Sequence, residues 1–404
     1  MSVLIRLFLR NNQKLGTVNK KIFYKNYSAV SDVAEKLVFE GEEPHKMAAW
    51  EIHSYGGLEE LQLSRSVRIP ALMSPNDVLV KVSAASVNPI DVAMMGSYGH
   101  VLLNTIRQVE KCSANEMEFP LILGRDFAGE VVAKGNSVSS ELMVGDSVFG
   151  VSPPHKPGCH AQYVIVHKDW VHRKPEKLKD SEASCLLYAG LTAWSALKIT
   201  GELMVLSPQG RSVLVLGASG GVGSLAVQML NAWGAQVVAT CSTDAVPLVQ
   251  SLGAQHVIDY TNPSALDAIK AAGKFDVILD AAGLPEDEFP KYLPLLKEWR
   301  LAKYITLRSP LLRNTDQLGL VGGMLRNAAD LVVPNLTTGA LLRGTSLRWG
   351  YFAPINAGVR EISRLAESGQ LMPIIDTTMN ILELPAAYDR VSKGHLRGKV
   401  VVTV

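Results

Sequence analysis

The sequence predicts an α/β protein in which a barrel-like β domain is split by an inserted, doubly wound parallel sheet. Three observations carry this. Short β-prone runs punctuated by Gly, Pro and Asn fill the first half of the chain. From about Ser181 strand and helix patterns alternate, the signature of a parallel sheet with helical crossovers. The chain closes on GKVVVTV, a strand with no partner nearby in sequence, so it is expected to return to the β domain.

Taken in order, residues 1–31 carry six basic and no acidic residues, mixed with Leu, Ile and Phe. Such a leader predicts a mitochondrial transit peptide, with the mature protein in the matrix or on a membrane there. We assign 1–40 to this leader and its linker. MAAWEIHSYGG, NDVLVKVSAASV, GEVVAKG, DSVFGV and AQYVIV then read as strands of a domain spanning 41–180 and completed by 376–404. The segment Arg107–Phe119 lacks periodicity and is expected to be a surface insertion rather than a lid. SEASCLLYAGLTAWSALKI suits helix and opens the second domain, 181–375. There SVLVLG, AQVVATC, HVIDY, FDVILDAAG and KYITL supply strands, with a helix from Gly223 and another around Val246–Leu252. LRWGYF reads either as a sheet edge, through which two copies could form a homodimer, or as a buried strand.

Nearly half of the 404 residues are apolar and the net charge is only +2, the six basic residues of the leader being offset by a slightly acidic remainder. Nucleic acid is excluded as a partner, because its binding needs clustered positive charge. No apolar run is long enough to span a membrane as a helix. Four cysteines without C-x-x-C spacing suggest neither a disulfide framework nor a zinc knuckle.

The stretch SVLVLGASGGVGSLAVQML carries the chemistry. A five-residue apolar strand runs into a glycine cluster, which runs into an amphipathic helix. Aligned on phosphate-binding spacing it reads Ala218-x-Gly220-x-x-Gly223, a dinucleotide fingerprint in its proper strand–helix context. Gly220 would let the backbone approach a pyrophosphate, and Gly223 would let the helix pack closely on the strand. The helix N-terminus offers unpaired N–H donors to the anion. An NAD enzyme places Asp or Glu at the end of the next strand to hold the ribose hydroxyl. Here that strand ends VVATCSTD, putting Ser242 and Thr243 where a 2′-phosphate would fit. NADPH is therefore expected over NADH, with Tyr260 flanking the adenine or the phosphate.

Several separated blocks together resemble the medium-chain dehydrogenase/reductase superfamily, in its quinone-oxidoreductase branch. They are KVSAASVNPIDVAM, FPLILGRDFAGEVVAKG, the Gly220 cluster and the terminal HLRGKVVV. The resemblance implies a GroES-like β domain split by a Rossmann domain. It also implies cofactor contacts at Ser219, Gly221, Val222, Leu307, His395, Leu396, Arg397 and Lys399. LTAWSA, LGASGGVG, GAQHVIDY and TLRSPLLRNTDQLGLVGGML carry a narrower resemblance, to members that interact with reticulons, which implies a reticulon-type protein partner.

Zinc-dependent members of the superfamily carry His after Gly124, whereas this chain has Arg125, which cannot bind a cation. Catalytic zinc needs three protein ligands, and no candidate set is found. Cys159, His160 and His155, in a Pro/Gly loop, are expected at the surface. Without a Lewis acid, activated acceptors suit best: a quinone, or another conjugated carbonyl, takes hydride directly. Asn88, in the turn Asn88-Pro89-Ile90-Asp91, is the candidate donor near the nicotinamide or the acceptor carbonyl, and Tyr98 a candidate proton donor. Relatives carry an Arg soon after this turn; Met95 stands in that region here. The expected function is mitochondrial NADPH-dependent reduction of a quinone, in ubiquinone metabolism or biosynthesis. The alternatives are reduction of an enal or enoyl double bond, and a nucleotide-binding interaction protein with little catalysis.

Overall fold

A computed structural model describes residues 45–111 and 118–404. The leader lies outside these residues, as does the centre of the Arg107–Phe119 segment.

The first half lays down β1 (Lys46–Ile52), β2 (Gln62–Arg68), β3 (Asp77–Val87), helices α1 (Pro89–Met95) and α2 (His100–Lys111), then β4 (Leu121–Ile122), β5 (Asp126–Lys134), β6 (Ser147–Val151), β7 (Tyr163–His167) and β8 (Val171–Arg173). Helices α3 (Asp180–Ala183) and α4 (Leu187–Trp194) lead into β9 (Ser212–Leu216), α5 (Gly221–Ala232), β10 (Gln236–Cys241), α6 (Val246–Ser251), β11 (His256–Asp259), α7 (Ala265–Ala271), β12 (Val277–Asp280), α8 (Phe289–Tyr292) and β13 (Lys303–Thr306). The chain finishes with α9 (Leu311–Thr337), β14 (Ser346–Trp349), α10 (Asn356–Glu367), β15 (Ile375–Asn380), α11 (Leu384–Ser392) and β16 (Lys399–Thr403).

β3 is the hub of the β domain. Alternate Val and Ala side chains point inward, and the strand pairs antiparallel with β5, β7 and β16. The last strand thus returns to the first domain, as its isolation in sequence demands. The second domain is a parallel sheet in the order β11-β10-β9-β12-β13-β14. Strands β9 and β12 are neighbours in space but not in sequence, so the chain changes direction between them. Ligands of such sheets bind beyond the carboxyl ends of the strands at that point. Residues Val213–Leu216 and Val277–Asp280 are wholly buried, which is why they read as unbroken apolar runs rather than alternating ones.

Residues 107–111 of the unperiodic segment form the end of α2, with Val109 exposed. Arg107 is in the last turns of α2 and is buried, donating to the carbonyl oxygens of Pro154 and His155 and pairing with Glu118 at 2.8 Å. The LRWGYF segment resolves to the sheet edge: β14 is the terminal strand, bonded to β13 on one side.

Candidate functional site

The loop after β9 has the form a bound diphosphate requires. Gly217 carries a φ of +77°, which makes the sharp turn. A Cβ on Gly223 would lie 2.2 Å from the Gly217 carbonyl oxygen, so α5 can seat on the strand only without one. A Cβ on Gly220 would meet nothing closer than 3.6 Å, leaving open space against the backbone. Gly220 also caps α5 without a side chain, so no hydroxyl or carboxylate competes for the first-turn N–H groups. Ser219, within the loop, is buried, and Val222, in the first turn of α5, is half-buried.

A strap from the C-terminal segment lies across this loop. Gly398 N–H donates to the Ser219 carbonyl at 3.0 Å, and Gly398 forms a parallel bridge with Gly220. Its φ of +85°, and an Ile374 carbonyl 2.0 Å from where its Cβ would be, reserve the position for glycine. Leu396 packs into the β-domain core, while His395 is exposed in the left-handed conformation at φ 51°.

The strap sends two cations in different directions. Lys399 is buried, and its side chain passes over Gly221, where a Cβ would come within 2.7 Å of Lys399 Cδ. Its ammonium donates to Asn88 Oδ1. Asn88 Nδ2 donates to Asp126 Oδ1 at 2.9 Å and to Ser86 Oγ at 3.2 Å. Asp126 accepts further bonds from Ser86 Oγ and from the Tyr188 N–H at 3.2 Å. Asn88, the cap of α1, therefore has both amide donors engaged inside the protein. The ammonium of Lys399 makes one bond among the described residues, and it has three N–H groups.

Arg397 points the other way, to the end of β10. Its guanidinium donates to Ser242 Oγ at 2.7 Å and to both Asp244 oxygens at 2.7 and 2.8 Å. Hydrogen bonds from Ser242 and Arg397 hold the exposed Asp244 carboxyl below its ordinary value. Arg397 Nε is buried without a partner among the described residues, a donor awaiting an acceptor. Thr243 Oγ is turned aside, donating to Asp259 Oδ2 at 2.5 Å, and Tyr260 stands exposed just beyond β11. The open glycine loop has room for the diphosphate of a dinucleotide, and Arg397, at another point of the strap, sits at the end of the next strand.

Tyr98 and Leu307 lie near the switch point. Leu307 follows β13 and donates its N–H to the Asp280 carbonyl. Tyr98 lines a cavity of about 460 Å³ with Glu286, Asp287, Arg308, Ser309 and Arg313. Its hydroxyl donates to the Ser309 carbonyl at 3.4 Å. Burial, assisted by the Asp316 carboxylate, pushes the phenol above its ordinary value, so it holds its proton at neutral pH.

The Pro/Gly loop overturns one expectation. Cys159 and His160 are fully buried, not at the surface. His160 hydrogen-bonds the Ser86 carbonyl and the Tyr388 hydroxyl, both at 3.1 Å. Arg125 is fully buried as well. It pairs with Asp91 at 3.3 Å and donates to the carbonyls of Pro153, Lys156 and Ile122. Among the described residues no group of three or more His, Cys, Asp or Glu is arranged to hold a metal ion.

Sequence reasoning missed the meeting of Arg397 with Ser242, and found no cation at the end of β10. It missed the engagement of Asn88 too. The available signal for both was the terminal HLRGK run, whose two cations were assigned to the cofactor but not to partners within the chain.

Comparison with known proteins agrees with this geometry. Residues 74–176 match the family model for the alcohol dehydrogenase GroES-like domain, and residues 252–402 match that for zinc-binding dehydrogenase. The chain is 43% identical to "NAD(P)H oxidoreductase RTN4IP1, mitochondrial" of Drosophila melanogaster, over 88% of this chain and 86% of that one. It is 36% identical to "Reticulon-4-interacting protein 1, mitochondrial" of Caenorhabditis elegans, over 88% and 94%. Among solved structures, the quinone oxidoreductase from Coxiella burnetii superposes with a TM-score of 0.68 at 27% identity, covering 89% of this chain and 99% of that one.

Proposed function

Because the chain belongs to the medium-chain dehydrogenase/reductase superfamily and is an NAD(P)H oxidoreductase of it, we propose that it is a zinc-independent, NADPH-dependent quinone oxidoreductase of mitochondria. One observation supports this reading above the others: a single short strap brings Arg397 to Ser242 and Lys399 to Asn88. The N–H groups at Gly220–Gly223 would hold the pyrophosphate. Arg397 and Ser242 would hold a 2′-phosphate, with the unpaired Arg397 Nε as a further donor. The dinucleotide supplies a hydride when bound.

In this reading Lys399 is the donor to negative charge developing on the acceptor carbonyl, having N–H groups beyond the one given to Asn88. Asn88 positions that ammonium rather than touching the acceptor. The buried Asp126 carboxylate anchors Asn88 in turn. The test is consumption of NADPH by the purified protein with a short-tail quinone. No turnover above background with any quinone would overturn the reading. A ubiquinone-type acceptor is the quinone class we expect, from the mitochondrial names of the relatives.

A second reading, reduction of a conjugated carbon–carbon double bond, draws on Tyr98, a protonated phenol in the cavity wall. Tyr98→Phe would abolish that reaction and leave quinone reduction largely intact. The reticulon-interacting name of a relative suggests a reticulon-type protein partner. Pull-down with reticulon by the folded chain tests it.

A further inference from the structure

Tyr188, in the first turn of α4, is fixed by contacts that leave its hydroxyl unused. Its N–H donates to Asp126 Oδ2 at 3.2 Å, on the carboxylate whose other oxygen anchors Asn88. Its carbonyl accepts the Thr192 hydroxyl at 2.8 Å, one turn further along the helix. Its ring stacks on that of Phe352, just beyond β14, with centroids 4.4 Å apart and planes inclined by 20°. The hydroxyl itself makes no hydrogen bond among the described residues. Tyr188 is half-buried, and Oη is not one of the unpartnered polar atoms sealed inside the fold, so solvent reaches it.

The neighbours of this phenol belong to the cleft described above. Cys185, one turn earlier in the chain, packs with Ala84 and Val401 and feels the charge of Lys399. Burial pushes the Tyr188 phenol above its ordinary value, and the Asp91 carboxylate adds to the rise. Asp126 and the phenol of Tyr98 act in the same direction, while Arg125 opposes them. Tyr188 therefore borders both halves of the site. On one side is the chain of bonds from Lys399 through Asn88 to Asp126, and on the other the cavity that Tyr98 lines.

Packing explains the ring but not the oxygen. A phenylalanine would stack on Phe352 equally well and keep both backbone bonds. A tyrosine hydroxyl set this far into a protein usually has a partner within it. Here the partner must come from outside the chain. A protonated phenol donates one hydrogen bond and brings no charge. Such a donor gains most from an oxygen that turns negative during a reaction, in a cleft where water is scarce. Lys399 supplies the ammonium there, and Tyr188 supplies a neutral donor fixed by its stack.

Resting on the reading of this cleft as a quinone-reducing site, we propose that Tyr188 is a second catalytic donor, whose hydroxyl bonds the acceptor oxygen beside the Lys399 ammonium. The phenol keeps its proton, and the reduced anion takes from solvent the proton that completes a hydroquinone. Tyr188→Phe tests this cleanly, because it removes only the unused oxygen. Its thermal midpoint should match that of the unsubstituted chain. With NADPH and a short-tail quinone, kcat should fall about 100-fold or more, and NADPH affinity should hold. A readout without turnover is 4-nitrophenolate, a ring bearing an oxyanion, titrated by absorbance into the nucleotide-free protein. It should bind, and Tyr188→Phe should weaken it by roughly 10-fold or more. Phenolate binding through Tyr188 with no quinone turned over would overturn the quinone reading and uphold the donor. Phenolate that fails to bind, or binds both proteins equally, would overturn the proposal. So would quinone turnover within a few-fold in Tyr188→Phe, or a loss confined to NADPH affinity, which would assign the hydroxyl to the nucleotide.

Discussion

The guanidinium of Arg397 meets the hydroxyl of Ser242 at 2.7 Å, across 155 residues of sequence. The contact joins a C-terminal strap to the end of the second strand of the nucleotide sheet. Asp244 competes for the same guanidinium, with both its oxygens in reach. A bound 2′-phosphate would have to share or displace that carboxylate. Charge-assisted hydrogen bonds contribute about 1.5–3 kcal/mol each, or roughly 10- to 100-fold in affinity. Arg397→Met should therefore weaken NADPH by that factor and change NADH much less. Asp244→Asn should tighten NADPH, by freeing Arg397. Fluorescence titration of both reduced nucleotides measures this, and equal losses for the two in Arg397→Met would remove the residue from the phosphate pocket.

Lys399 and Asn88 should separate into donor and support. Loss of one donor to developing negative charge typically costs about 100- to 1,000-fold in kcat. Lys399→Met should fall in that range with a quinone acceptor. Asn88→Ala keeps the ammonium but removes the group that aims it, so a smaller drop is expected. Rescue by Asn88→Ser, which restores a short acceptor, would mark positioning. If Lys399→Met retains kcat within a few-fold, the acceptor charge is held elsewhere.

Why one end of this site was legible and the other was not comes down to range. Gly217, Gly220 and Gly223 do their work within one strand–turn–helix unit, so their spacing alone carries the signal. The apolar runs of β9 and β12 likewise announce strands buried on both faces. Arg397 and Lys399 sit two residues apart yet diverge to partners 155 and 311 positions away, and no local pattern records a destination. Cys159 and His160 were misplaced because a Pro/Gly-rich composition signals a turn, not exposure. Here the buried Arg125 draws that loop inward through the Pro153 and Lys156 carbonyls. Helix α9 gave no periodic signal toward a core, for its buried side is asparagine and glycine.

Arg125 stands where zinc-dependent relatives place a ligand, and its contacts here are structural. It neutralises Asp91 inside the β domain, and Asp91 also accepts the Asn88 and Gly124 N–H groups. Removing one partner of a buried ion pair costs about 3–5 kcal/mol, because the other charge stays buried. Arg125→Met should lose about that much stability in urea denaturation. Arg125→Lys should recover only part, since an ammonium cannot reach three carbonyls with the guanidinium's planar fork. A loss under about 1 kcal/mol for Arg125→Met would contradict this account, being the size of an exposed pair.

His160 should make the fold sensitive to mild acid. The Ser86 carbonyl can only accept, so Nε2 carries the proton, and the neutral ring then accepts the Tyr388 hydroxyl at Nδ1. A second proton on the ring would reverse the Tyr388 bond, the hydroxyl then accepting, and would place a charge in a fully buried site. Burial accordingly pushes its pKa below the ordinary 6.5. In the unfolded chain the imidazole titrates normally, so below about pH 6.5 the unfolded state binds a proton that the folded state refuses. Stability is therefore complete above that pH and declines as pH falls through it, by at most about 1.4 kcal/mol per unit for this group. Chemical denaturation at a series of pH values from neutral into mild acid should show this slope, and His160→Gln should reduce it whatever its effect on stability at neutral pH. An unchanged slope in His160→Gln would place the acid sensitivity in another group.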